Sequence, residues 1–242
     1  MPVKSLLSFL YVMLFARLSD ELPCSKEHAL MQTTNSGHMN TLFKSWLALG
    51  DSYTIGESVS IHDRYTMQTI EFLKDSGIHF SDPEIIAKTG WTTGDLLGAI
   101  QNKKTLTPPY DIASILIGVN NQYQQLNIQE YKEEFVSLLM QAIQLTGNRP
   151  GHVLVISIPD YSITPFARDS DKKSISNQID AFNKINQQEA MHAGVHYINV
   201  TGLSRMAAND PSLIASDGLH FSGKEYALWA KLLVPVINAI IK

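Results

Sequence analysis

One cysteine, Cys24, stands in a chain of 242 residues, so no disulfide closes within the chain and the fold does not lean on oxidation. A basic surplus is missing too. Lys+Arg 19 against Asp+Glu 23 gives a formal net charge of -4, without the cationic excess that a phosphate-tracking surface needs, which argues against nucleic acid as a partner. The apolar stretch from Leu6 to Ala16 is too short for a stable membrane span. Internal repeats are absent. The Gly-x-Ser-x-Gly elbow occurs nowhere. A phosphate-binding loop is disfavoured at Gly50 to Gly56, because Glu57 stands where the lysine belongs.

What is present, 44% hydrophobic and 17% charged residues, suffices for one globular domain with a tail. The tail is the N-terminus. Lys4 followed by Leu6 to Ala16 has the form of a signal peptide, although Arg17 follows at once and no small-x-small cleavage site appears. Glu21-Leu22-Pro23-Cys24 is a poor lipoprotein signal, and Met39 offers an alternative start. Residues 25–44, rich in Thr, Asn, Ser, His and Gly, have the composition of a disordered leader. The expectation is a signal peptide or disordered extension over 1–44 and a domain over 45–242. Location follows from that choice: secreted or periplasmic if 1–24 is a signal, cytoplasmic otherwise.

From Trp46 onward, short apolar runs predict buried parallel strands at Trp46–Leu49, Glu84–Ala87, Ile112–Ile117, Val153–Ile158 and Val195–Val200. Amphipathic segments alternate with them. Tyr131, Phe135, Leu138, Leu139, Ala142 and Ile143 share one helical face, as do Ile175, Ile179 and Phe182, then Ala227, Ala230, Leu233 and Ile237. This alternation predicts an α/β layered sandwich. Ser222-Gly223-Lys224-Glu225 reads as a capping box opening the last helix.

In open parallel sheets the loops at the carboxyl ends of the strands form the ligand crevice. Four of the five carry reactive groups: Gly50-Asp51-Ser52-Tyr53, Lys88-Thr89-Gly90-Trp91, Gly118-Val119-Asn120-Asn121, and, farther from the fifth strand, Asp217-Gly218-Leu219-His220. Acyl transfer needs a nucleophile, a base, a group that orients the base, and donors for the oxyanion. Ser52, His220 and Asp217 supply the first three; the Ser52 and Gly90 backbone N–H groups and the Asn120 amide supply the donors. Tyr53, Trp91 and Tyr123 adjoin these positions and are candidates to line a substrate pocket, although such aromatics more often pack in a core or at a rim. His192 and His196 have the spacing of a metal pair, but no third ligand stands nearby in sequence.

Each motif alone is a common turn. Together, in this order and at strand ends, they resemble the SGNH, or GDSL-type, hydrolases, a family of esterases and lipases. Its Ser, Gly, Asn and His match Ser52, Gly90, Asn120 and His220, and the resemblance runs from Trp46 to Lys242. It implies a three-layer α/β/α sandwich with a five-stranded parallel sheet, a nucleophile near the N-terminal end, and no metal or other cofactor. Three departures are visible: Tyr53 where the family name has Leu, Asn121 where Asp commonly follows the oxyanion-hole Asn, and Phe221 where Pro often follows the His. None removes a reacting group. The expected activity is hydrolysis of small or medium acyl esters. A lysophospholipase, a thioesterase, an O-acetyl-sugar esterase or a catalytically silent glycan- or lipid-binding module would share the same crevice.

Overall fold

The computed structural model describes residues 43–242; the expected signal or leader lies outside the described residues except for Phe43 and Lys44. Five strands, β1 (Trp46–Gly50), β2 (Glu84–Ala87), β3 (Ile112–Leu116), β4 (Val153–Ile156) and β5 (His196–Ile198), form one parallel sheet in the order β2-β1-β3-β4-β5. The strands β1, β3 and β4 are buried at every residue, while β2 and β5 at the edges are partly exposed. Helices on both faces explain the difference, since a central parallel strand is covered twice and must be apolar on both sides.

The helices are α1 (Ser52–Ile55), α2 (Tyr65–Lys74), α3 (Thr93–Asn102), α4 (Val119–Tyr123), α5 (Ile128–Leu145), α6 (Lys172–Ala193), α7 (Thr201–Met206) and α8 (Gly223–Ile241). They fall into two groups, α2 packed on α8 and α5 packed on both α3 and α6, which gives the three-layer α/β/α sandwich. The six α5 residues assigned to one face are the six that are buried. Among the described residues no helix is long and apolar enough to cross a membrane.

Two local expectations are corrected. The fourth strand stops at Ile156 rather than Ile158, because Asn183 of α6 occupies the Ile158 backbone: Ile158 N–H donates to its Oδ1 at 2.7 Å, and its Nδ2 donates to Ile158 O at 2.9 Å. At the start of α8 only half of the capping box forms. Ser222 accepts from Glu225 N–H, but the Glu225 carboxyl accepts from Trp229 Nε1 at 2.7 Å. A buried indole N–H must find an acceptor, and Glu225 supplies it.

Sheet register sets up the site. Gly50 lies beside Ala87 on one side and Leu116 on the other, so three chain segments leave the sheet next to one another. Gly50 has no room for a side chain, since a Cβ there would lie 2.1 Å from Thr54 Oγ1 and 2.4 Å from Leu116 O. That close approach holds α1 against the end of β3.

Candidate active site

Ser52 opens α1, and Asp51 caps it by accepting the Tyr53 N–H at 3.0 Å. The Ser52 residue is only 5% exposed and His220 7%. Both open onto one cavity of about 130 Å³, together with Asn120 from α4. Tyr53, Tyr123, Tyr161 and Phe166 supply its aromatic surface, and Val119 and Leu219 complete the lining.

His220 and Asp217 meet as the short loop between them predicts. His220 Nδ1 lies 2.5 Å from Asp217 Oδ2, and the Leu219 and His220 N–H groups each donate to Oδ1 at 2.9 Å. Burial opposes the charge on Asp217. The hydrogen bonds from the His220 and Ser58 side chains and from the two backbone N–H groups outweigh it and hold the carboxyl well below the usual carboxylate range. His220 Nε2 has no hydrogen-bond partner among the described residues, and no direct hydrogen bond joins it to Ser52.

The three oxyanion candidates come from adjacent strand ends. Neither the Ser52 nor the Gly90 N–H has an acceptor among the described residues. Gly90 has φ +83°, a left-handed conformation that glycine alone adopts without penalty, and it lies at the surface outside the lining of the cavity. Asn120 Nδ2 donates to Trp91 O at 2.9 Å. Of the three aromatic candidates, Tyr53 and Tyr123 line the cavity and Trp91 does not; its side chain packs against the core.

The loop after β4, passed over in the sequence, contributes Tyr161 and Phe166. Its aromatics just past a strand end were the available signal. Asp160 beneath them is buried, and burial disfavours its charge, but hydrogen bonds from Ser162, Ser176 and Arg205 pull its carboxyl below the ordinary value. Arg205 Nε lies 2.9 Å from Asp160 Oδ2. Asn121, the departure from Asp, accepts Thr93 N–H at 3.0 Å and donates to Thr93 Oγ1 at 2.7 Å. It thereby ties the Asn120 segment to the start of α3. Asp51 is enclosed, with Oδ2 lacking a partner; burial pushes its carboxyl up to about 7 against the lowering effect of the Tyr53 N–H.

Comparison with known proteins agrees with this architecture. The model of the GDSL-like Lipase/Acylhydrolase family matches residues 48–228. No curated protein matches the chain. Among similar solved structures, a lipase/acylhydrolase from Enterococcus faecalis is 20% identical with a TM-score of 0.64, covering 83% of this chain and 98% of its own. The acetylxylan esterase Axe2 from Geobacillus stearothermophilus is 18% identical with a TM-score of 0.60, covering 80% and 94%. TesA is 15% identical with a TM-score of 0.61, covering 81% and 99%. At these identities the structural likeness is one of fold.

Proposed function

Because the chain belongs to the GDSL-like lipase/acylhydrolase family and is a hydrolase acting on esters, we propose that its 45–242 domain cleaves small or medium acyl esters through Ser52, His220 and Asp217. One observation carries the reading: the hydrogen-bonded Asp217–His220 pair opens onto the same cavity as Ser52.

In this mechanism Ser52 Oγ attacks the ester carbonyl and His220 Nε2 takes its proton. Asp217 holds the Nδ1–H tautomer and stabilises the imidazolium that forms. The developing oxyanion is met by the Ser52 and Gly90 N–H groups and by the amide hydrogen of Asn120 not given to Trp91. Collapse expels the alcohol, which is protonated by His220. Water then repeats the sequence on the acyl-enzyme and releases the acid.

Acyl size follows from space. A cavity of roughly 150 Å³ admits benzene, so about 130 Å³ takes an acyl group of about six heavy atoms or fewer. Among the described residues no Asp, Glu, Lys or Arg lines it, which favours an uncharged acyl group. A second reading, an O-acetyl sugar, draws on the aromatic rim, where Tyr123 is 55% and Phe166 49% exposed and flat apolar faces are free for a sugar ring.

The test is hydrolysis of p-nitrophenyl esters graded by chain length, beside acetylated xylose and a lysophospholipid, by the parent protein and Ser52→Ala. Turnover of short esters that disappears on Ser52→Ala supports the proposal. Retained turnover in Ser52→Ala overturns it, and a preference for acetylated xylose selects the second reading.

A further inference from the structure

Beyond Gly56, which closes α1, the chain makes a short turn through Glu57 and Ser58. Ser58 adopts φ +65°, a left-handed conformation disfavoured for any residue with a Cβ. In that conformation its hydroxyl donates to Asp217 Oδ2 at 2.7 Å, across 159 positions of sequence. The same oxygen faces His220 Nδ1. Every other donor to Asp217 among the described residues, Leu219 N–H, His220 N–H and the imidazole, comes from the loop that Asp217 itself belongs to. Ser58 alone ties that carboxylate to another part of the molecule.

The neighbouring residue reaches the opposite way. Thr89 Oγ1 donates to Glu57 Oε2 at 2.5 Å, and Thr89 immediately precedes Gly90. One turn, a few residues past Ser52, therefore grips both the loop that carries the acid and base and the loop that carries an oxyanion donor.

We propose that Glu57 and Ser58 are positioning residues, Ser58 fixing the Asp217 carboxylate so that His220 stays aimed at Ser52, and Glu57 holding the loop that carries Gly90. The inference rests on the triad reading above. A carboxylate held only by its own loop moves with that loop and takes the imidazole along. A hydrogen bond from the nucleophile's turn makes acid, base and nucleophile one rigid body, and displacements of about 1 Å at such a site cost as much as a hundredfold in rate.

Ser58→Gly is the informative variant, because glycine adopts φ +65° freely and the turn keeps its shape while the hydroxyl is lost. The expected result is a melting temperature equal to or above that of the parent, an unchanged KM for p-nitrophenyl acetate, and a kcat lower by about tenfold or more. Ser58→Asn, which tolerates the left-handed region and offers an amide donor, recovers part of the loss. Glu57→Ala also lowers kcat with KM unchanged. Wild-type kcat in Ser58→Gly overturns the assignment, as does a fall in kcat that only tracks a fall in melting temperature. Ser52→Ala is measured alongside. If it is inactive while Ser58→Gly is fully active, the positioning role alone fails; if Ser52→Ala still turns over, the triad reading fails first.

Discussion

Asn120 gives one amide hydrogen to the Trp91 carbonyl at 2.9 Å and lines the cavity shared by Ser52 and His220. In the proposed mechanism the bond to Trp91 fixes the amide plane before substrate arrives, so the remaining N–H needs no reorganisation as charge develops. Replacing Asn120 with Ala is expected to lower kcat by about 10²–10³ with little change in KM. Steady-state kinetics on a short p-nitrophenyl ester check this. A change confined to KM would make Asn120 a ground-state substrate contact.

In the proposed mechanism Ser52 and His220 act as one unit, so Ser52→Ala and His220→Ala are each expected to remove nearly all activity, with the double variant hardly worse. Additive losses would separate them. Asp217→Asn favours the wrong imidazole tautomer and is expected to cost at least about a hundredfold in kcat.

Asp51 titrates near 7 in the folded protein against an ordinary value of 3.8, because burial disfavours its charge. The folded state binds this proton more tightly than the unfolded chain does. Its contribution to stability is complete below about 3.8 and is lost as pH rises through about 7. Asp51→Asn keeps an acceptor for the Tyr53 N–H without the charge. Its melting temperature is expected to exceed the parent's at pH 8, by about 2–4 °C for each kcal/mol relieved, and to approach it at pH 4. An equal difference at both pH values would mean that Asp51 does not titrate in this window.

Phe166 forms part of the cavity's aromatic surface and is half exposed, so Phe166→Ala opens the cavity without hollowing the core. The variant is expected to shift preference toward longer acyl chains while its melting temperature changes little. Comparing kcat/KM across p-nitrophenyl acetate, butyrate and octanoate reads this out. An unchanged profile would place the acyl group elsewhere.

A chain beginning at Thr41 is expected to retain both melting temperature and kcat/KM, since every strand among the described residues and every proposed reacting group begins at Trp46 or later. A large loss of stability would show that the removed segment contributes to the fold.

The central strands were legible because burial on two faces leaves an unbroken apolar signature, as in Val153–Ile156. The edge was less so: β5 covers only His196–Ile198 of the expected Val195–Val200, where partial exposure weakens the pattern. Ser52, Asn120 and His220 were legible through their motifs, since each sits at a fixed place beyond a strand or before a capped helix. Tyr161 and Phe166 were not, because burial against a cavity and burial in a core leave the same mark in sequence. Ser58 gave no signal at all. An exposed serine far from Asp217 along the chain becomes its partner only through the fold, and Trp91, next to Gly90 in sequence, is turned toward the core by the same folding.

Ser52 follows the first strand while His220 precedes the last helix, whose packing on α2 brings the far end of the domain back to its beginning. During synthesis, the segment that bears Ser52 leaves the ribosome long before the one that bears His220. A chain that ends before Asp217 carries all five strands, yet in the proposed mechanism it lacks both the general base and the acid that orients it. On that mechanism hydrolysis begins only after translation has passed the final loop, and a product terminated before it is expected to be inert toward esters.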